Sequence, residues 1–95
     1  MRDYELVVII SPEIAEESVP TTIEKVTQFI TAKGGAITEV NQWGRRKLAY
    51  PIGKFTEGNY VLTQFKLEPE KTTELEANLE ISEEILRHLL VKVAE

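Results

Sequence analysis

A basic and aromatic segment, residues 43–52, holds the side chains in this sequence best suited to contacting a polyanion. Three adjacent cations stand between two aromatic rings, in the order Trp43, Arg45, Arg46, Lys47 and Tyr50. Arginine and lysine neutralise phosphates, and tyrosine or tryptophan rings stack on unpaired bases. The segment therefore predicts a contact with nucleic acid.

The overall charge of the chain does not predict such a partner, because the formal net charge is -5. Residues 43–54 hold four bases and no acid, whereas residues 1–42 hold seven acids and three bases and residues 55–95 hold nine and four. This local reversal of sign is the best indication of function in the sequence. The alternative explanation is a cationic hairpin edge that keeps an acidic body soluble.

Length and composition restrict the remaining possibilities. The 95 residues predict a single domain spanning 1–95 with one modest core. The absence of cysteine excludes disulfide frameworks, thiolate nucleophiles and zinc ribbons. The charged N-terminus and the short apolar runs predict neither a signal peptide nor a membrane span, so we expect a cytoplasmic protein with no membrane partner.

Apolar periodicity predicts six elements that must position the basic segment. Tyr4–Ile10 is nearly all apolar and predicts a central strand buried on both faces. A helix is expected from Val19 to Gly34, a strand from Ala36 toward Tyr50, and a hairpin connection at 53–58. A strand over 59–67, a helix from Pro69 to about Ile81 and a strand over 85–93 complete the chain.

The order strand-helix-strand-strand-helix-strand is typical of an α+β, ferredoxin-like split β-α-β fold. Right-handed crossovers place both helices on one face of a four-stranded antiparallel sheet and leave the other face open. Each helix is expected to carry an apolar stripe, formed by Val19, Ile23, Val26 and Ile30 in the first and by Leu75 and Leu79 in the second. Strand 59–67 alternates, which places Val61, Thr63, Phe65 and Leu67 on one face.

Signatures of catalysis are sparse. His88 is the only histidine and lies in an apolar strand, and no glycine-rich phosphate loop occurs. Tyr60 and Phe65 are separated by an odd number of residues and so point to opposite faces of their strand, which removes the base-stacking platform of an RNA-recognition motif. We therefore expect no enzyme, no metal, no cofactor and no small-molecule substrate.

Four stretches of the sequence carry a family resemblance: Met1–Glu5, Trp43–Ile52, Lys54 and Tyr60–Leu62. The most specific is Leu-Ala-Tyr-Pro-Ile after a glycine and a basic cluster. In these motifs, in length and in element order, the whole chain resembles bacterial small-subunit ribosomal protein six. The resemblance implies a noncatalytic protein that pairs with small-subunit ribosomal protein eighteen and binds the central domain of the small-subunit ribosomal RNA.

The resemblance also implies which residues contact RNA. By position these are Arg2, Arg45, Arg46, Lys47 and Tyr50, with Trp43, Lys54, Arg87 and Lys92 as weaker candidates. Leu48, Ala49 and Ile52 are expected to pack, Pro51 to bend the chain, and Trp43 has the alternative of being a half-buried strand residue. Asp3 stands where the family has a basic residue or histidine, and any contact made by a longer C-terminal tail is expected to be absent or supplied otherwise.

Two other functions fit the same fold. One is a small dimeric regulatory or ligand-binding module, because Val7 and Ile9 would leave apolar surface on the open face if Leu6 and Val8 face the helices. The other is an acylphosphatase-like enzyme, but the acidic loop 13–17 would repel phosphate.

Overall fold

The order of elements along the chain is the predicted one. The computed structural model describes residues 1–93 and contains β1 (Arg2–Ile10), α1 (Val19–Ala32), β2 (Ala36–Ile52), β3 (Phe55–Leu67), α2 (Thr72–Ile81) and β4 (Ile85–Lys92). A short 3₁₀ turn precedes each helix, at Glu16–Ser18 and Pro69–Lys71. The sheet order is β2-β3-β1-β4 with antiparallel pairs throughout, which confirms the ferredoxin-like α+β fold.

The core lies between one face of this sheet and the two helices. Leu6, Val8 and Ile10 of β1 are buried, as are the predicted alternate residues of β3 and the predicted stripes of both helices. The prediction that β1 is buried on both faces is wrong, because Val7 and Ile9 are only half-buried. Val7 and Ile9 lie on the open face of the sheet, and both helices pack on the other face. Another part of the chain must therefore shield these two side chains from solvent.

The β2–β3 hairpin is tighter than predicted. Only Gly53 and Lys54 separate the two strands, because residues 55–58, predicted as part of the connection, pair with β2. Gly58 is a buried strand residue here and not a turn residue. A Cβ atom at this position would lie 2.5 Å from Cγ2 of Ile9, so glycine permits the close approach of β3 to β1.

One side-chain cluster ties the turn between α2 and β4 to α1. Thr22 Oγ1 donates a hydrogen bond of 2.7 Å to Glu84 Oε2, and Lys25 Nζ donates one of 2.8 Å to Glu84 Oε1. The backbone N–H of Ser11 donates to the Glu84 carbonyl at 2.8 Å. The Lys25 ammonium first, and the Thr22 hydroxyl next, lower the pKa of the Glu84 carboxyl from its ordinary value.

This cluster predicts a stability that depends on pH. We expect Glu84→Gln to lower the free energy of unfolding by about 1 kcal/mol at pH 7, since it weakens charge-assisted hydrogen bonds. A lowered folded-state pKa stabilises the fold above the ordinary value of 4.5, and this contribution is lost as pH falls through the folded-state pKa. Urea unfolding at pH 7 and pH 3 should therefore show the difference between the two proteins shrinking in acid. The neighbouring Glu83→Gln is the control, and an equal effect there would contradict the assignment.

Within residues 1–93, neither helix is long and apolar enough to cross a lipid bilayer.

Candidate nucleic-acid interface

The basic segment lies where the β2–β3 hairpin extends beyond β1. The last row that crosses the whole sheet contains Arg45, Asn59, Ile10 and Ile85. Beyond it the chain continues as a two-stranded ribbon, residues 46–58, which we call the hairpin arm. The arm has no neighbouring strand beyond this row, so its exposed cations can meet a partner that the rest of the sheet does not touch.

The arm also supplies the missing cover for the open face of the sheet. Leu48, Ala49 and Ile52 line a groove of about 470 Å³ together with Val7, Ile9, Tyr60 and Leu89 of the sheet. Leu48 and Ile52 are half-buried, which fits the packing role predicted for them, whereas Ala49 is exposed. The pairing register is irregular between Lys47 and Ile52, the stretch that contains Pro51, whose missing N–H and fixed φ predict such a bend. The apolar side of the arm therefore faces the sheet.

Trp43, at the base of the arm, supports a neighbouring cation. Its ring stacks on Tyr60 with centroids 6.4 Å apart and planes 13° from parallel. The Arg46 guanidinium lies 5.9 Å from the Trp43 ring, and Arg46 Nε donates to the Trp43 carbonyl at 3.4 Å. A register shift between Gln42 and Gly44, with Gly44 at φ +84°, places the indole there. Trp43 is exposed, at 45%, so the half-buried alternative does not describe it and part of its ring stays open to a partner.

Arg45 and Lys54 are held by weak surface contacts. Arg45 Nη1 lies 3.3 Å from Glu57 Oε1, and its Nη2 donates to the Pro12 carbonyl at 3.1 Å. Lys54 Nζ lies 3.4 Å from Glu13 Oε2, with both side chains largely exposed. Exposed ion pairs contribute only about 0–1 kcal/mol, so both cations can exchange a carboxylate for a phosphate at little cost.

Lys47 is the most available of the three adjacent cations. It is exposed, and within residues 1–93 it forms no ion pair or hydrogen bond through its side chain. Its strand partner is Glu57, the residue whose carboxylate is turned to Arg45. A phosphate reaching the arm would meet this ammonium without displacing any contact.

Tyr50 and Arg87 contact each other although the sequence separates them widely. Arg87 Nη1 donates a hydrogen bond to the Tyr50 hydroxyl, and the guanidinium lies 5.3 Å from the centre of the Tyr50 ring. The Tyr50 side chain is nevertheless 58% exposed. This pair fastens the arm to β4, and it leaves ring surface of Tyr50 open to a stacking partner.

Two of the predicted RNA-binding residues lie away from this cluster. Arg2 begins β1, and Lys92 pairs with Tyr4 at the same end of the sheet. The arm lies past Ile10, at the other end of the nine-residue strand β1, which is roughly 26 Å away at about 3.3 Å per residue. One RNA helix would have to run along the sheet to contact both ends, so the compact site contains Trp43, Arg45, Arg46, Lys47, Tyr50, Lys54 and Arg87.

Sequence reasoning missed Tyr60 as a support of the site. The available signal was its odd separation from Phe65, which places it on the open face, under the arm. In residues 1–93 no three histidine, cysteine, aspartate or glutamate side chains are grouped as a metal site would require.

Comparison with known proteins identifies the family of this chain. Residues 3–92 match the family profile of ribosomal protein S6. The small ribosomal subunit protein bS6 of Moorella thermoacetica is 43% identical over 95 residues, covering 100% of this chain and 97% of that protein. The bS6 protein of Desulforamulus reducens is also 43% identical, with both chains covered completely.

A solved structure shares the fold as well. The crystal structure of 30S ribosomal protein S6 from Thermotoga maritima superimposes with a TM-score of 0.91 at 34% identity, covering 97% of this chain and 87% of the other. The similarity in fold and the sequence similarity thus both extend over nearly the whole chain. The chain belongs to the ribosomal protein S6 family.

Proposed function

We propose that this chain is a noncatalytic, structural component of the small ribosomal subunit that binds the central domain of the small-subunit ribosomal RNA together with small-subunit ribosomal protein eighteen. The observation that carries the proposal is the segment 43–54, at the base of the hairpin arm and along it: this segment holds four cations, two aromatic rings and no carboxylate. A member of a ribosomal protein family works on the ribosome, in the cytoplasm.

The roles proposed for the residues follow from their contacts. Lys47 and Arg46 bind phosphates directly, since neither is paired with a carboxylate in residues 1–93. Arg45 exchanges Glu57 for phosphate, and the exposed ring of Tyr50 packs on the RNA. Trp43 orients Arg46, while Lys54 adds a further cation at the tip of the arm. Arg87, beside Tyr50, is a weaker RNA contact of the compact site, and Arg2 and Lys92 offer cations at the other end of the sheet.

The acidic helices explain why a partner protein is needed. Carboxylates within about 8–10 Å of phosphate repel it at physiological ionic strength. The two helices and the 3₁₀ turns before them hold seven of the sixteen acids, among them Glu24, Glu74, Glu76 and Glu80, so this layer must face solvent or a basic protein. Four or five cations give modest affinity, and a basic partner would release the additional counterions.

The alternative of a dimeric regulatory module remains the runner-up. In this alternative the groove under the arm would hold a ligand or a second copy, and Leu89, which is 60% exposed beside the groove, would contribute apolar contact. Family membership favours the ribosomal function, and sedimentation of the pure chain separates the two. A tight homodimer that binds a metabolite and ignores ribosomal RNA would support the module.

The proposed function is tested by co-sedimentation with ribosomal subunits. We expect the tagged chain, expressed in its own cells, to sediment with small subunits and to stay there in moderate salt, because the RNA and a partner protein hold it together. Large subunits from the same gradient are the control. Release from small subunits at low salt, or equal recovery with both subunits, would contradict the proposal.

A further inference from the structure

The outer edge of β4 is an unused strand edge. β4 is the last strand of the sheet and pairs with β1 alone, so within residues 1–93 its outward N–H and C=O groups have no strand partner. Its register with β1 is regular from Lys92 to Arg87, with no bulge or proline. The other edge strand, β2, is interrupted by three register shifts, a glycine and a proline, which are devices that prevent pairing. Only β4 is therefore ready to accept a further strand.

The charge and polarity of the β4 side chains indicate what kind of strand would fit beside them. Residues 85–93 contain no carboxylate, and Arg87 and Lys92 form no ion pair within residues 1–93. Arg87 donates to Tyr50, which is neutral, so its charge is not compensated. Between these cations, on the open face, lie two exposed apolar side chains, Leu89 at 60% and Val91 at 43% exposure.

We propose that β4 binds an extended segment of a partner protein as a fifth strand, and that this segment carries carboxylates at its two ends and apolar residues between them. Backbone hydrogen bonds to the edge would supply affinity, and alternate side chains would supply specificity. The carboxylates would meet Arg87 on the open face and Lys92 on the helix face. The apolar residues would cover Leu89, which also borders the groove under the arm. On the helix face Glu76 holds His88 at 3.3 Å and would repel a carboxylate at the centre of the segment.

Two other occupants fit this edge less well. A second copy of β4 would bring two further cations, its own Arg87 and Lys92, to an edge that holds no carboxylate, and like charges across a strand pair are destabilising. An RNA backbone would be attracted by the cations but would leave Leu89 and Val91 exposed and the strand edge unpaired. The proposal does not depend on RNA binding by the arm.

The test is an NMR titration of the isotope-labelled chain with capped hexapeptides. The acidic probes are Glu-Thr-Val-Thr-Val-Glu and its reversed sequence, and the matched control replaces both glutamates by lysine. We expect the acidic probes to shift the amide signals of 85–92 and to slow their hydrogen exchange, with the lysine probe binding at least tenfold more weakly. Charge reversal in R87E/K92E should weaken the acidic probes about tenfold, or about 1.4 kcal/mol. The control K33E/K71E, on the helix layer, should leave binding unchanged.

Each other result overturns the proposal. Shifts centred on 36–52 would show that the peptide binds the other edge strand, β2. Equal binding of the acidic and lysine probes would show that the edge does not select for carboxylates. Absence of binding at millimolar probe would show that the edge is blocked. Concentration-dependent association of the chain alone through 85–92 would assign the edge to a second copy, and stronger competition by oligouridine than by peptide would assign it to RNA. The comparison of probes uses the unaltered chain and so does not depend on whether the variant folds.

Discussion

Replacing Arg45, Arg46 and Lys47 together by alanine is expected to weaken binding of central-domain RNA about a hundredfold at physiological salt, measured with the partner protein present. Each phosphate contact releases roughly 0.7–0.9 counterions when it forms, and this release is lost with the contact. The plot of log affinity against log salt should therefore become shallower by about two to three. The three side chains are exposed or held by weak surface contacts, so the fold should remain stable.

The control for this prediction changes the same number of charges elsewhere. Lys33, Lys66 and Lys71 lie away from the arm, and K33A/K66A/K71A lowers the net charge by the same amount. We expect that protein to bind RNA nearly as tightly as the unaltered chain, with the same salt slope. If the arm variant also keeps its affinity and slope, then the arm does not bind RNA.

The second large effect concerns the partner. We expect the isolated chain to bind central-domain RNA weakly, and the addition of protein eighteen to tighten binding tenfold or more. The physical reason is that the cations occupy one arm of a chain with sixteen acids, so most of its surface repels RNA. A factor of ten requires only about 1.4 kcal/mol of coupling, which a shared RNA site and one protein contact can supply.

The measurement is a titration of the RNA fragment with each protein alone and then with both at constant salt. Because thermodynamic coupling is reciprocal, this chain must tighten RNA binding by the partner by the same factor. Equal affinities with and without the partner would show that the arm suffices by itself and that the two proteins bind independently.

Most of the fold could be predicted because local patterns decide it. The stripe of Val19, Ile23, Val26 and Ile30 has a helical period, and alternation from Val61 to Leu67 has a strand period, so each element reveals its buried face. The hairpin is tighter than the sequence predicts, because a glycine at 58 indicates a turn, whereas in the structure it permits the close approach of Ile9. Sequence patterns report backbone preference and do not show which distant atom occupies the space beside a glycine.

The candidate site was predicted in composition and only partly in arrangement. The residue types from Trp43 to Tyr50 indicated RNA, and the structure gathers them in and beside one arm. The contact between Tyr50 and Arg87 and the stack of Trp43 on Tyr60 could not be predicted, since they depend on the arm bending over the sheet. The same bend explains why Val7 and Ile9 are half-buried where full burial was expected.

The most direct test of the central claim is ultraviolet cross-linking of small subunits that contain this chain, followed by mass spectrometry of the peptides attached to RNA. We predict cross-links within residues 43–54, with Tyr50 and the cations beside it as the attached positions. Cross-links confined to the acidic helices, Val19–Ala32 and Thr72–Ile81, with none in the arm, would contradict the claim that the hairpin arm is the RNA-binding surface.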